Sequence, residues 1–135
     1  MFIDVEDKIK KKNKILFNEK SSCLAQLVPL LSEQSHRVQV MWAFDCLPSV
    51  LEEFEKIVPS ERRPRECVLL CRRWAQGKIK MKEAKRAILA CHAVAKEIDD
   101  KVGIALSHAI GQGGSTVHVG SHSLGLVVYE LTAIV

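Results

Sequence analysis

A series of apolar residues between positions 40 and 58 constrains the fold more than any other feature of the sequence. Its members recur at alternating steps of four and three, and they are Val40, Phe44, Leu47, Leu51, Phe54 and Val58. This spacing places them on one face of an α-helix. It predicts a central helix that begins near Ser35, kinks at Pro48 and ends before Pro59. The rest of the chain is expected to pack against the stretch from Trp42 to Gly77, which joins this helix to the next.

Two further helices are predicted after this one. Pro64 suits the first turn of a helix, where a missing amide hydrogen costs little, and Gly77 is expected to end that helix. The residues expected to be buried in it are Cys67, Val68, Cys71 and Trp74. A second apolar series predicts a helix over residues 80–98, whose alanine-rich surface would permit close packing.

The C-terminal third of the chain predicts two helices separated by glycines. Asp99 and Asp100 can cap the first of them, and the sequence GQGG at residues 111–114 is expected to end it. The last helix is expected over residues 115–134. The apolar, uncapped end at Val135 suggests that the natural chain runs further.

The N-terminal segment gives the weakest pattern. A short helix is expected over residues 4–16, but lysines make it polar on most sides. Residues 1–20 are therefore expected to be peripheral or frayed. Next comes a helix capped by Ser21 and Ser22, which Pro29 bends or restarts.

The helical periodicity extends over most of the chain and determines the predicted fold class. No segment alternates convincingly with period two, and we find no tandem repeat at a fixed spacing. We therefore expect an all-α fold, a compact bundle of about six helices in a single domain over residues 1–135. A chain of this length can bury roughly two thirds of its unfolded surface in one core.

Composition argues against several classes of protein. No run of about 18 apolar residues could span a membrane, and acidic residues follow Phe2 where a signal peptide would be apolar. The five cysteines form neither a CxxC pair nor a disulfide framework, so a reduced, cytoplasmic protein is expected. The lysine-rich residues 8–14 argue only weakly for nucleic acid, because Phe17 is the only interleaved aromatic residue.

Histidines supply a candidate metal site. His118 and His122 lie four residues apart on the predicted last helix, hence on one face, and His92 or His108 could add a third ligand. The pair lacks the Glu of an HEXXH site, because Val119 follows His118. We favour the alternative interpretation, a set of hydrogen-bonded histidines in the core or a groove, and we expect no cofactor.

Asp45 is the most informative carboxylate, because it lies in the central helix between Trp42 and Cys46. We expect it to be buried and to pair with Arg63 or Arg65, which would fix the turn after the helix. The alternative is an acid that contacts a bound partner.

Short motifs across residues 35–131 keep a characteristic order and spacing. They are Trp42-Ala43-x-Asp45-Cys46, Phe54-Glu55, Pro59, Arg63-Pro64-Arg65, Trp74-x-x-Gly77, Ala90-x-His92-Ala93, Gly111-Gln112 and His118-Val119-x-x-His122. In these motifs the chain resembles the predicted immunity proteins of bacterial polymorphic toxin systems, in the group similar to the fifth immunity family. The resemblance implies a small, mostly α-helical cytoplasmic protein that protects its host by binding a cognate toxin, without chemistry of its own.

The first functional hypothesis is therefore a protein that binds and blocks a toxin. A basic cluster around the turn after the central helix could meet an acidic partner and raise its association rate. The cluster residues are Arg62, Arg65, Arg72 and Arg73, with Asp45, Arg63, Trp42 and Trp74 as further candidates. The alternative for each arginine is a solvated helix face, and a homodimer is also compatible with the sequence.

The second hypothesis is a metal-dependent or small-ligand enzyme with its polar residues around a groove. Those residues would be Asp45, His92, His118 and His122, with Trp42 and Trp74 as the lining. A functional pocket and a satisfied polar network look alike in sequence. The binding protein is the favoured hypothesis, and nucleic-acid binding ranks lowest.

Overall fold

Seven α-helices make up most of the chain in the structure, a computed structural model that describes residues 2–135. Their bounds are α1 (Ile3–Lys10), α2 (Leu27–Glu33), α3 (His36–Ile57), α4 (Arg63–Ala75), α5 (Met81–Val94), α6 (Lys101–Ser115) and α7 (His122–Ile134). A short 3₁₀ turn at Ser22–Leu24 precedes α2, and no strand occurs in the described part of the chain. The predicted all-α fold is confirmed.

Local signals set several helix ends as expected. The Ser35 side chain accepts a hydrogen bond from the Val38 amide at the start of α3, at 3.2 Å. Asp100 caps α6 in the same way, with Oδ1 2.8 Å from the Gly103 amide. Gly77 follows α4 with a positive φ of 73°, a conformation that glycine adopts without steric cost.

The most deeply buried helix is α6, which lies at the centre of the fold. It contacts α3, α4, α5 and α7, and nine of its fifteen residues are buried. Our expectation that the other elements pack against the stretch from Trp42 to Gly77 is therefore wrong. The apolar face of α3 does face the core, where Leu47, Leu51 and Phe54 are buried.

The glycine-rich sequence GQGG lies inside α6, so the prediction that it ends this helix is wrong. The helix continues through residues 111–114 to Ser115. Glycine in a helix interior costs about 1 kcal/mol relative to alanine, which is why the local pattern favours a break. In the folded chain, tight packing around these glycines outweighs that cost.

Two of these glycines admit neighbouring side chains that a larger residue would exclude. A Cβ at Gly113 would lie 2.5 Å from Leu126 Cδ1 of α7 and 2.6 Å from Leu47 Cδ2 of α3. A Cβ at Gly114 would lie 2.8 Å from the Cys71 sulfur of α4. Three helices can therefore approach α6 closely at its C-terminal end.

The last helix begins later than predicted, at His122 rather than at residue 115. Turns occupy the segment between α6 and α7, and Gly120 packs against α3 there. A Cβ at Gly120 would lie 1.8 Å from Gln39 Oε1, so a larger residue here would displace the Gln39 side chain. The His36 ring of α3 also reaches the segment, with Nε2 2.7 Å from the Thr116 carbonyl oxygen.

Two buried side chains attach the N-terminal residues to the rest of the molecule. Val5 of α1 is 3% exposed and Phe17 is 2% exposed, and both belong to the main hydrophobic cluster. α1 ends at Lys10 rather than at residue 16. The chain then turns at Ser22–Leu24 and starts α2, so Pro29 lies in the first turn of a restarted helix.

No helix within residues 2–135 combines the length and the apolar character that crossing a bilayer would require.

We predict that Gly113→Ala lowers the free energy of unfolding by about 1–3 kcal/mol, because the added methyl overpacks the contact between Leu47 and Leu126. Urea denaturation followed by circular dichroism measures this. In a Leu47→Ala background the penalty should be smaller, since one of the two clashing side chains is gone. As a control, Val102→Ala at an exposed position of α6 should change stability by less than about 0.5 kcal/mol. A Gly113→Ala protein at least as stable as the wild type would contradict this packing account.

Candidate binding groove and histidine cluster

Two open concavities lie between α3 and α4. One has a volume of about 530 Å³ and is lined by Pro48, Glu52, Glu55, Lys56 and Arg65. The other has a volume of about 650 Å³ and lies toward the N-terminal end of α3 and the C-terminal end of α4. Because both helices pack on α6, they leave space between them that is open to solvent.

Ion pairs neutralise the arginines near the first concavity. Arg65 binds the Glu55 carboxylate through two hydrogen bonds, one of them 2.9 Å from Nε to Oε2, and these lower the pKa of Glu55. Arg63 bonds to Glu61 at 2.5 Å and to Glu97 at 2.6 Å, so it joins the start of α4 to the turn after α5. Hydrogen bonding to Arg63 also lowers the pKa of Glu61.

The predicted pairing of Asp45 with Arg63 or Arg65 is wrong. Asp45 is exposed, and among the described residues it forms no ion pair. It lies on the face of α3 that carries Met41 and Pro48, which are also exposed and stand four residues before it and three after it. Glu55, on the part of α3 that faces α4, takes the position predicted for Asp45.

We call the second concavity the α3–α4 groove. Its lining residues are His36, Arg37, Val40, Met41, Phe44, Arg72, Ala75, Gln76 and Val117. Arg72 lies over the Phe44 ring, with Cζ 5.6 Å from the ring centroid, which is a cation–π contact. The two arginines of the groove form no ion pair with any described residue, and no acid lines it.

The remaining predicted binding residues are dispersed. Arg62 and Arg73 are exposed on α4 and form no ion pair within residues 2–135. Trp42 is half-buried against the core. Trp74 also packs on the core and stacks on His118, with ring centroids 6.1 Å apart. Neither tryptophan lines the α3–α4 groove.

The histidines form pairs rather than the candidate metal site. His92 of α5 and His108 of α6 are joined by a hydrogen bond of 2.8 Å between their Nδ1 atoms, so one ring donates and the other accepts. The ring of His108 also lies 5.1 Å from that of Tyr129, between centroids. His122 Nδ1 instead bonds to Gln112 Oε1 at 2.6 Å.

The expectation that His118 and His122 share a helix face is wrong, because α7 begins at His122 and His118 is exposed in the preceding turn. Within residues 2–135 no group of three or more His, Cys, Asp or Glu side chains is arranged to hold a metal ion. The histidine contacts therefore fit the alternative interpretation, a hydrogen-bonded network in a groove.

Burial keeps the histidine pair uncharged at neutral pH. It lowers the pKa of His92 to about 4, with further contributions from His108 and His122, and it lowers the pKa of His108 as well. His92 lies directly over Gly111, where a Cβ would be 2.4 Å from its Nε2. The glycine thus makes room for the imidazole between α5 and α6.

Three cysteine side chains are fully buried in the core, as the sequence predicts for Cys67 and Cys71; the third is Cys91. A hydrogen bond with Cys67, together with burial, raises the pKa of Cys71. The Cys91 sulfur lies 3.3 Å from the Ser107 carbonyl oxygen. Thiols in this state are poor nucleophiles, so the cluster contributes packing rather than chemistry.

The profile of one protein family, described as "Imm-5 like putative immunity protein", matches residues 29–135. The chain belongs to this immunity family. The match extends from α2 to the end of α7 and so includes all the helices that pack around α6. No curated protein and no solved structure matches the chain.

Several motif residues that carry the resemblance to this immunity family contact one another. Glu55 pairs with Arg65, and the glycine–histidine contact between α6 and α5 joins two further motifs. Other pairs are Gln112 with His122 and Trp74 with His118. Because these contacts join different helices and the turn between α6 and α7, these motif residues stabilise the fold of this chain.

Of the nine residues that line the groove, sequence reasoning named only Arg72 as a candidate for binding. The eight that it missed are His36, Arg37, Val40, Met41, Phe44, Ala75, Gln76 and Val117. One signal was available, since Arg37, Met41 and Phe44 follow each other at steps of four and three beside the main apolar face of α3. The contribution of Val117 could not be anticipated, because it depends on how the turn after α6 meets α3.

The low pKa of His92 predicts a loss of stability in acid. The unfolded chain binds a proton near pH 6.5, whereas the folded chain resists protonation down to about pH 4. Stability contributed by neutral His92 is therefore fully present above about pH 6.5 and falls as the pH decreases toward 4. Because the side chain is partly exposed, we expect the loss to be about 1–2 kcal/mol.

Urea denaturation at several pH values between 4 and 7 measures this loss. The His92→Gln protein should lose less free energy of unfolding over this range than the wild type, because the titrating imidazole is gone. Other groups titrate in both proteins. The difference between the two losses of free energy of unfolding therefore reports on His92 and its coupling to His108. Equal losses in the two proteins would show that His92 is not held neutral by the fold.

Proposed function

We propose that this protein is an immunity protein of a bacterial polymorphic toxin system, which neutralises a cognate toxin by binding it. The observation that carries the proposal is membership of the immunity family over residues 29–135. The protein would act in the cytoplasm, where it would intercept the toxin before the toxin reaches its target.

A blocking protein needs a rigid surface that exists before the partner arrives, because ordering it on binding would cost affinity. The buried α6 and the helices packed on it supply such a scaffold. An interface of ordinary size requires about 800 Å² from each partner, and the exposed helix faces offer this area.

The charges on α4 support an acidic partner. Arg63 and Arg65 are engaged by acids of the same chain, whereas Arg62, Arg72 and Arg73 form no ion pair among the described residues. A cation without an internal partner can attract an acidic surface and raise the association rate. The metal-dependent enzyme has no comparable support, because residues 2–135 contain no arrangement of ligands for a metal ion.

We expect this protein to protect cells against the toxin encoded by the adjacent gene. Expression of that toxin in a bacterial host should arrest growth, and co-expression of this protein should restore it. The two purified proteins should elute together in size-exclusion chromatography. A version of the gene with an early stop codon controls for expression from the plasmid. Growth arrest that persists with this protein present, together with separate elution, would refute the proposed function.

A further inference from the structure

We infer that the α3–α4 groove is the docking site for the toxin, and that its occupant is an acidic segment that places an apolar side chain in the groove. This inference rests on the proposed function and specifies the surface and the chemistry of the partner. Four observations carry it: the apolar groove floor, its two unpaired arginines, the charge distribution of the molecule, and the contacts that hold the groove in shape.

The floor of the groove is an apolar surface that a partner side chain can contact. Val40 and Phe44 of α3 and Val117 of the turn after α6 are half-buried, so one side of each is available to a partner. Met41 is 57% exposed, a large fraction for a methionine. Its unbranched, polarizable side chain adapts to the shape of an apolar partner.

Two arginines give the groove its charge. Arg37 and Arg72 line it, and neither is paired with an acid of the described chain. Stacking on Phe44 holds the Arg72 guanidinium in position, so less side-chain entropy is lost when a carboxylate binds it. Asp45, one turn after Met41, is the nearest acid along α3, and it does not line the groove.

The first concavity between α3 and α4 can be compared with the groove. It is lined by Glu52, Glu55, Lys56 and Arg65, and there the arginine is already bound to Glu55. Its charges are satisfied within the chain and it has little apolar floor. The groove with the free arginines is the better site for an acidic partner.

Charge is also distributed unevenly along the bundle. The groove is lined by His36 and by Gln76, so the start of α3 and the junction of α4 and α5 lie at the same end. Residues 31–45 and 70–88 at this end contain eight Lys and Arg and three acids, Glu33, Asp45 and Glu83. Residues 50–66 and 94–104 at the other end contain eight acids and six Lys and Arg. An acidic toxin surface is therefore drawn to the end that holds the groove.

Contacts across the groove walls keep it open in the free protein. The His36 ring binds the Thr116 carbonyl oxygen, which ties the start of α3 to the turn that carries Val117. Gln39 donates from Nε2 to the Leu31 carbonyl oxygen at 2.9 Å and also packs against Gly120. The walls are thus positioned before a partner binds, as tight association requires.

Other occupants fit the groove less well. Two copies that met through this end would bring like charges together, which opposes association. A nucleic acid binds to many cations placed along its phosphate backbone, whereas this groove offers two arginines beside an apolar floor. Both remain distinguishable in the experiment below.

The test uses the purified toxin encoded by the adjacent gene, in an inactive form, and measures its affinity by isothermal titration calorimetry. The variants are Arg37→Glu, Arg72→Glu and Met41→Asp, and each should weaken binding by about tenfold or more. Lys101→Glu is the matched control, because it reverses an exposed cation that forms no ion pair among the described residues and lies at the start of α6, at the opposite end of the bundle. It should change the affinity by less than about twofold.

Arg37 and Met41 are exposed, so their variants should fold, and thermal unfolding verifies this. If Arg72→Glu destabilises the fold through Phe44, the other two variants decide the outcome. Unchanged affinity in Arg37→Glu and Met41→Asp overturns the inference, whereas the proposed function stands if the wild type binds. A wild type that does not bind the toxin overturns both.

Two further measurements distinguish the other occupants. Dimerisation of the wild type that is abolished by Met41→Asp would assign the groove to a second copy. Binding of a 20-base-pair DNA duplex, at about the same affinity as the toxin and abolished by Arg37→Glu, would assign it to nucleic acid. Either result overturns the inference.

Discussion

Close approach to α6 is the constraint on which the rest of the structure depends. Gly111, Gly113 and Gly114 present no side chain where α5, α3, α7 and α4 come nearest. Four helices can therefore share one central helix without the gap that larger residues would impose. The small helical cost of each glycine is offset by the contacts that it permits.

The surface features follow from this central packing. Because α3 and α4 both lie on α6, the space between them stays open, and only its ends are bridged, by the Glu55–Arg65 ion pair and by Arg72 over Phe44. The histidine pair has the same origin, since Gly111 provides the room in which His92 reaches His108. Burial then keeps the imidazoles neutral.

The sequence predicted features that depend on local chemistry. The apolar face of α3, its start near Ser35, the cap at Asp100 and the helix end at Gly77 are all readable from a few neighbouring residues. The continuation of α6 through residues 111–114 could not be predicted in this way, because glycine signals a helix break unless the surrounding helices are known. Asp45 was misplaced for a related reason, since its exposure depends on which face of α3 meets α4.

The candidate site was still less predictable, because the α3–α4 groove is made by residues from α3, α4 and the turn after α6. The family match supports an immunity role, and the motif residues behind the resemblance mainly join helices to one another. Under the proposed function, recognition is left to side chains that form no ion pair within residues 2–135. The arginines of the groove meet this condition, while Arg63 and Arg65 do not.

The most direct test of this account is hydrogen–deuterium exchange of the protein alone and in complex with its toxin. The account predicts slower exchange on binding in residues 36–44 and 72–76, which form the walls of the groove. Residues 52–65 at the opposite end should exchange at the same rate in both states. Protection confined to that opposite end, with the groove unchanged, would contradict the account.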